Sequence, residues 1–529
     1  MKIIPDLGSF NGNYWCSWRC QRFSRPILAQ NFDEDMSRYM TIDALSDEWL
    51  FKKPGMISNY LEDVRGDLQI LLDDGWDLPY INANGDEDYW SFGSIELNPK
   101  RFPYNAATKP EALYILNKKI TDLGYRGTGL WVPMECGEKE KKDNCYSMSL
   151  NEFKEYWTEK AKWLDYAGIT YIKADWGNHQ NSILYRKLLT EIIHDNSPKT
   201  EVEHVSCDGF IANDFREALK DDERNEYIRD LIRYSDYYRC YDVFNMFNTA
   251  TTMNRLALAM LAADNACEAG RKTIINVSEE PYLAAAAGCT MAIMSHPLLR
   301  GVTLQLYPER FDNGMSSGEY ERSDYHVFDD TRRALKWQRI APPFGVGATK
   351  FIISDSVLND SWFFEKEPYP WRKDEYKVKG TKLIQNGPSI IARNTELPAV
   401  YAEDEVPFVV VSKNPYTDVF TIATLNRTIN HKLNNYTPKA DIIVKNIDSG
   451  NPIGIFGEYK SLTLIFNNDI SRRRIFGQDI LSPEAEDITD SIKISGNRLV
   501  IGGEFIEKFG RKCNVANDYS DPGIAIKII

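Results

Sequence analysis

Short apolar runs that each end in charged or polar residues recur through the first two-thirds of the chain. They lie at residues 70–72, 129–132, 169–172, 202–205 and 273–277. Between them are longer stretches with apolar residues three and four positions apart, such as 111–123 and 150–166. Because a helix-like stretch separates one run from the next, the pattern predicts βαβ units and a parallel sheet.

The spacing of these units narrows the fold further. After a longer first interval, the run ends follow one another at steps of roughly 30 to 45 residues, which suits a (β/α)8 TIM barrel. The longer first interval predicts an enlarged first barrel loop. In such a barrel the residues at the carboxyl ends of the strands build the active site, and the carboxylates of this chain stand at those ends.

The pattern changes after Pro343. Short runs at 407–412, 419–426, 461–467 and 490–501 belong to a region punctuated by Asn-Gly, Asn-Asp and Ser-Gly turns. Long helical periods are absent there. The sequence therefore predicts an α/β chain of two domains, a catalytic (β/α)8 barrel at 1–343 and a C-terminal antiparallel β-sandwich at 344–529.

Charge and composition disfavour several classes of function. The formal net charge is −14 and no basic cluster stands out, so no nucleic-acid partner is expected. The most apolar window, 283–294, is far shorter than the ~20 residues that span a bilayer, so no membrane insertion is expected. The first ten residues carry no secretory signal, which favours a cytoplasmic location, with a signal removed beforehand as the alternative.

Cysteine and histidine usage bears on cofactors. The nine cysteines are odd in number and scattered, and the six histidines form no HxH or HExxH pair. The cysteines favour free thiols over a disulfide framework. Together the two residue types predict no catalytic metal and no cofactor.

The sharpest chemical pattern is Lys173-Ala174-Asp175, at the end of the third run. Positions i and i+2 of a strand face the same side, so Lys173 and Asp175 share one face. A nearby cation keeps a carboxylate ionised, as a glycosidase nucleophile requires. The alternative is a structural ion pair at a strand end.

A second pattern is Asp73-Asp74-Gly75-Trp76. The turn at Gly75 allows both carboxylates to reach the hydroxyls of a sugar, and Trp76 offers a face for its C–H side. The alternative is a simple Asp-Gly turn.

A third pattern joins Arg239 to Asp242. Arg239 can orient a carboxylate, and the apolar neighbours of Asp242 favour the raised pKa of a general acid. The alternative is a solvated, charged loop. The segment Cys207-Asp208 is a weaker candidate.

In their order along the chain, these segments resemble the motifs of the α-galactosidase clan, which holds glycoside hydrolase families 27 and 36. The resemblance covers roughly residues 10 to 345 and is carried by segments 13–18, 72–76, 124–131, 171–175, 206–208, 239–243 and 291–299. The β-rich tail resembles the family-27 layout.

The resemblance implies a role for each candidate. It makes Asp175 the nucleophile and Asp242 the acid/base. It assigns the remaining candidates to substrate binding: Asp73, Asp74, Lys173, Arg239, Cys207, Asp208, Trp15, Trp18 and Trp131.

Two departures from the family pattern affect these roles. The spacing from Arg239 to Asp242 is one residue shorter than usual, which leaves Asp236 as an alternative acid. Cys207-Asp208-Gly209 replaces the family's Cys-Glu-Trp, where the 2-position of the sugar is recognised. The identity of the sugar is therefore open.

The sequence as a whole predicts a retaining exo-glycosidase whose partner is a carbohydrate, in the first place a terminal α-D-galactoside. The alternatives within the clan are β-L-arabinopyranosides and other α-glycosides. Outside it, the alternatives are a non-catalytic carbohydrate-binding relative and a metal-dependent hydrolase barrel. The aglycone and the oligomeric state, including a homo-oligomer, are left open.

Overall fold

A computed structural model of the chain contains a closed barrel followed by a sheet-rich region. It describes residues 1–8, 12–23, 42, 44–52, 55–78, 80–81, 87–88, 94–134, 148–175, 177, 179–206, 214–240, 249–266, 272–294, 296, 328–363, 382–428, 435–515 and 518–529. Within those ranges, no helix has the length and apolar character needed to cross a membrane.

The barrel has eight strands in sequential order, and all neighbouring pairs are parallel. The strands are β1 (Tyr14–Cys16), β2 (Gln69–Leu72), β3 (Thr128–Val132), β4 (Tyr171–Ala174), β5 (Glu201–Val205), β6 (Tyr237–Arg239), β7 (Ile274–Ser278) and β8 (Thr290–Ile293). Pairing of Tyr14 with Ala292 closes the ring. The predicted (β/α)8 barrel is confirmed.

Helices alternate with these strands. They are α1 (Trp18–Phe23), α2 (Asp47–Phe51), α3 (Lys109–Asp122), α4 (Leu150–Ala167), α5 (Ile183–Asn196), α6 (Phe215–Ala218), α7 (Asp222–Tyr234), α8 (Thr249–Ala266), α9 (Pro281–Ala287) and α10 (328–337). Two short hairpins in the loop after β2 pair Asp77–Leu78 with Ser94–Leu97 and Tyr80–Ile81 with Glu87–Asp88. The long interval in the sequence corresponds to this loop, which follows the second barrel strand and not the first, because Tyr14–Cys16 is the first strand.

Local sequence explains where the long helices begin and end. In α4, Ser149 and Glu152 form a capping box at the start, and Gly168 takes a left-handed conformation with φ of 68° just after the end. The buried face of α4 carries Phe153, Trp157 and Leu164, among the residues whose spacing predicted it.

Side chains along each strand alternate between the barrel interior and the surrounding layer. Tyr14, Cys16, Trp131 and Tyr171 pack together inside the barrel. The residues between them along each strand, such as Leu130 next to Trp131, point outward and pack against the helices. Alternation therefore decides which residues of each motif reach the interior.

The C-terminal region consists mainly of two packed sheets. Their facing strands share one core, which includes Val409 and Ile524 from one sheet and Ile442 and Leu464 from the other. The larger sheet runs in the order Phe351–Ile353, Ile390–Arg393, Phe408–Lys413, Phe420–Leu425, Ile453–Phe456, Gly523–Ile528, Ile475–Asp479 and Glu486–Asp487. The smaller sheet runs in the order Ala399–Tyr401, Asp441–Ile447, Ser461–Phe466, Arg498–Gly502 and Lys493–Ser495.

The sandwich architecture agrees with the sequence prediction, with two differences of detail. Three strand pairs are parallel, so the sheets are mixed. A short helix, α11 (Gly503–Gly510), follows one strand. Separate hairpins pair Val357–Phe363 with Lys382–Pro388 and Arg427–Thr428 with Asn435–Tyr436.

Helix α10 joins the barrel to the sandwich. The guanidinium of Arg333 contacts both carboxylate oxygens of Asp479 at 3.2 and 3.1 Å, and both side chains are fully buried. One turn further, the indole N–H of Trp337 donates to the hydroxyl of Thr421 at 3.0 Å. Because these contacts are buried and polar, they fix the position of α10 on the sandwich.

Breaking the Arg333–Asp479 pair tests this joint. We expect Asp479→Asn to lower the free energy of unfolding by about 3–5 kcal/mol, because it leaves a buried guanidinium without its counter-charge. Glu486→Gln, which breaks the half-exposed pair with Lys512, should cost less than about 1 kcal/mol. Urea unfolding of both variants provides the comparison, and equal losses would contradict the assignment of α10 as the joint.

Candidate active site

Three predicted residues meet at the carboxyl-terminal end of the barrel. The ammonium nitrogen of Lys173 lies 3.1 Å from Asp73 Oδ2 and 3.2 Å from Asp175 Oδ2. All three residues are at most 5% exposed. Lys173 belongs to β4, and each carboxylate follows directly after a strand, Asp73 after β2 and Asp175 after β4. One buried cation is therefore shared by two buried carboxylates.

Asp175 is held from two further directions. The indole N–H of Trp131 donates to Asp175 Oδ2 at 2.9 Å. The guanidinium of Arg186, on α5, donates to the backbone carbonyls of Ala174 and Asp175 at 2.8 and 3.1 Å. These contacts position the carboxylate at the end of β4, with an N–H donor and a cation on one oxygen.

Asp73 is held by its own loop and by β1. Its Oδ2 accepts from the thiol of Cys16 at 3.1 Å as well as from Lys173. Its Oδ1 accepts from the backbone N–H of Asp74 at 3.0 Å. Gly75 follows with φ of 112°, in the left-handed region that favours glycine, and turns the chain away from the strand.

The structure places Asp74 beside Asp77, the next carboxylate of the loop. Burial, followed by the charge of Asp74, raises the pKa of Asp77 well above its usual range. Asp74 itself is partly exposed. The prediction that Asp73 and Asp74 bind the same sugar stays a prediction.

A second polar group fills the barrel interior beside this cluster. The hydroxyls of Tyr14 and Tyr171 donate to the two oxygens of Glu203 at 2.8 and 2.9 Å. Arg239 donates to the hydroxyl of Tyr14 at 3.0 Å. Burial raises the pKa of Glu203, while Arg239, the tyrosine hydroxyls and Lys173 oppose that shift.

The aromatic candidates separate into two groups. Trp131 faces the barrel interior, and Trp18 packs against the same interior cluster. Trp15 is fully buried in the outer layer, where its ring packs against Trp49, Tyr60 and His296. The expectation that Trp15 walls the pocket is therefore corrected, because its neighbours on β1 point inward and it points outward.

Three of the predicted residues, Asp242, Cys207 and Asp208, lie outside the described residues. Asp236, the alternative acid, accepts from Val202 N and bonds His194 Nε2, both at 2.8 Å. It precedes β6 and so stands at the opposite end of the barrel from Asp175, which excludes it as a partner in the same reaction.

One carboxylate at the carboxyl-terminal rim of the barrel was not singled out from the sequence. Glu280 follows β7, and burial raises its pKa to about 8. The hydroxyl of Thr249 donates to Glu280 Oε1 at 3.1 Å. The preceding residue, Glu279, has φ of 57°, a conformation that costs a non-glycine residue energy. The segment thus combines a strained backbone with a carboxyl group whose pKa is raised by burial.

Sequence reasoning also did not single out Tyr14, Cys16, Glu203 and Tyr171 as site residues. The available pattern was strand alternation: Tyr14 and Cys16 are two apart, as are Tyr171 and Lys173. Within the described ranges, no group of three or more His, Cys, Asp and Glu side chains is arranged to hold a metal ion.

Comparisons with known proteins give similarity to solved structures alone. No family model and no curated protein matches the chain. A glycoside hydrolase family 27 β-L-arabinopyranosidase from Geobacillus stearothermophilus is 9% identical, with a TM-score of 0.42 over 99% of this chain and 96% of that one. A Bacteroides fragilis protein assigned as an α-galactosidase/melibiase is 11% identical, with a TM-score of 0.39 over 100% and 79%. An α-amylase from Anoxybacillus is 11% identical, with a TM-score of 0.44 over 97% of both chains.

The structures similar to this chain thus include proteins of the clan that its motifs resemble. They also include an α-amylase at the same level of similarity. That level of similarity carries no activity from any of them to this chain.

Removing the shared cation tests the cluster. We expect Lys173→Met to lower the free energy of unfolding by about 3–5 kcal/mol, because two buried carboxylates lose their counter-charge. Adding Asp73→Asn should restore part of that stability. Lys118→Met, which breaks an exposed pair with Asp122, is the control and should cost less than about 1 kcal/mol. Full stability of Lys173→Met in chemical denaturation would contradict the shared-cation arrangement.

Glu201, the first residue of β5 and thus at the opposite end of the barrel from Asp175, provides a pH-dependent test. Burial, reinforced by Asp236, raises its pKa from 4.5 to about 7 in the folded protein. Between pH 4.5 and pH 7, Glu201 is ionised in the unfolded chain but still largely protonated in the folded protein. Its contribution therefore lowers the free energy of unfolding progressively over this range and by a constant amount at higher pH. Glu201→Gln should therefore stabilise the protein by roughly 1–3 kcal/mol at pH 8 and leave it unchanged at pH 4. Thermal unfolding of the wild-type protein and the variant at the two pH values measures this difference. An equal effect of the substitution at pH 4 and pH 8 would contradict the explanation.

Proposed function

We propose that the chain is a retaining exo-glycoside hydrolase that cleaves terminal α-D-galactosides through a covalent glycosyl-Asp175 intermediate. The observation that carries the proposal is the setting of Asp175. Its carboxylate is buried at the catalytic rim of the barrel and receives the Lys173 ammonium and the Trp131 N–H on one oxygen. A cation and a donor at this distance favour the ionised form that a nucleophile needs.

The reaction has two displacements at the anomeric carbon. Asp175 forms a bond to that carbon while the glycosidic oxygen leaves with a proton from Asp242. Asp242 then takes a proton from water, the water oxygen bonds to the anomeric carbon, and the bond to Asp175 breaks. Two inversions give net retention, which requires the two carboxyl groups to lie about 5–5.5 Å apart.

Recognition of the sugar is assigned to the polar groups around Asp175. Asp73, Asp74 and Lys173 would bind hydroxyls, Arg239 and the Cys207-Asp208 segment would complete the pocket, and Trp131 and Trp18 would contact the ring. Both lone-pair directions of Asp73 Oδ2 are used by Cys16 and Lys173, so Asp73 would accept a hydroxyl through Oδ1. A β-L-arabinopyranoside, which has the same ring without carbon 6, is the runner-up substrate.

Hydrolysis of a panel of aryl glycosides tests this proposal. The panel holds an α-galactoside, a β-L-arabinopyranoside, an α-N-acetylgalactosaminide and an α-glucoside. We expect turnover of the α-galactoside, and a loss of at least about 1,000-fold in kcat with Asp175→Asn, because the nucleophile is removed. Turnover that survives in Asp175→Asn would contradict the proposal, and sugar binding without turnover on any member would favour a binding protein.

The same assay includes a matched pair for the acid. Asp242→Asn should slow substrates with poor leaving groups far more than those with good ones, because only the former need a proton as the bond breaks. Glu280→Gln is the control, since it alters another rim carboxyl. If Glu280→Gln alone shows this leaving-group dependence, the acid assignment moves to Glu280.

A further inference from the structure

The interior of the barrel holds a hydrogen-bonded chain of four polar residues, of which the proposed function uses only Arg239. Barrel interiors are usually filled by branched apolar side chains. Here Tyr14, Tyr171, Glu203 and Arg239 occupy the interior and are fully buried. Buried polar groups of this kind are costly unless their partners are well placed. The hydrogen-bonded chain from Arg239 at the rim to Glu203 in the interior therefore indicates a function that offsets this cost.

The donors and acceptors of this chain fix its direction. A guanidinium has donors only, so Arg239 Nη1 donates to the oxygen of Tyr14 at 3.0 Å. The single hydroxyl proton of Tyr14 is then committed to Glu203 Oε1 at 2.8 Å. Tyr171 donates to Glu203 Oε2 at 2.9 Å. Both tyrosines thus support Glu203 equally, and Tyr14 is the one of the two that also contacts Arg239.

We propose that Tyr14 is a positioning residue that holds the Arg239 guanidinium at the catalytic rim by linking it to the anchored carboxylate of Glu203. This rests on the proposed function, in which Arg239 belongs to the sugar-binding pocket. Arg239 is the last residue of β6, and a long side chain at a strand end has many rotamers. A site group must be held within about 0.5 Å of its productive position, and the link through Tyr14 supplies that restraint from below.

The two tyrosines provide a matched pair for the test. Tyr14→Phe and Tyr171→Phe each remove one hydroxyl and one hydrogen bond to Glu203, and both keep the ring that packs in the interior. Tyr14→Phe also removes the acceptor of Arg239 Nη1, so it should cost more folding stability than Tyr171→Phe. With the aryl glycoside that the wild-type enzyme hydrolyses best, we expect Tyr14→Phe to lower kcat/KM by about tenfold or more and Tyr171→Phe by less than about threefold.

A double-mutant cycle separates positioning from general loosening of the barrel. In an Arg239→Ala background, Tyr14→Phe should have no further effect on kcat/KM, because the group through which it acts is gone. The small effect of Tyr171→Phe should persist there. Equal kinetic effects of the two tyrosine variants, or an undiminished effect of Tyr14→Phe without Arg239, would overturn the proposal.

A structural readout keeps this test independent of the proposed activity. Crystal structures of the two variants should show Arg239 displaced or spread over several conformers in Tyr14→Phe and unmoved in Tyr171→Phe. If the wild-type protein hydrolyses no glycoside, the proposed function fails while this comparison still decides the role of Tyr14. An unmoved Arg239 in Tyr14→Phe would refute that role even in an active enzyme.

Discussion

The ammonium group of Lys173 lies between the carboxylates of Asp73 and Asp175, and the polar interior of the barrel depends on this contact. A buried charge is costly unless it is paired, and one cation cannot neutralise two anions. Neighbouring hydrogen-bond donors stabilise the remaining negative charge: the Trp131 N–H donates to Asp175 and the Cys16 thiol donates to Asp73. Loss of the cation would therefore disturb several strands together.

Barrel geometry explains why residues far apart in the chain meet here. Parallel strands bring all their carboxyl ends to one rim, so the ends of β2 and β4 approach even though 100 residues separate Asp73 from Lys173. The covering layer then fixes each strand end, as Arg186 does for β4. The sandwich supports this frame from outside through α10, whose Arg333 and Trp337 are buried against it.

Much of this architecture follows from patterns in the sequence. The helical period of 150–166 and the capping residues Ser149 and Gly168 are local, so α4 was predictable nearly to the residue. The run at 169–172 was less so, because Ile169 and Thr170 resemble strand residues while the register of the barrel starts β4 at Tyr171. The prediction for Trp15 was wrong for a related reason. A motif gives the identity of a residue, whereas the direction of its side chain depends on the register of its strand.

The buried polar chain was beyond sequence reasoning. A glutamate inside a strand is expected to face solvent, and only the three-dimensional arrangement supplies the two tyrosine hydroxyls that satisfy Glu203. The pairing of Asp73 with Lys173 is likewise a long-range contact between non-adjacent strands. By contrast, the shared face of Lys173 and Asp175 follows from alternation along one strand.

Trapping the covalent intermediate tests the central claim most directly. The protein would be treated with a 2-deoxy-2-fluoro glycosyl fluoride of the sugar that it hydrolyses, since such a compound forms the glycosyl-enzyme and releases it slowly. Peptide mass spectrometry should then find one added sugar, on Asp175. A label on another carboxylate, or continued turnover with no label on Asp175, would contradict the account.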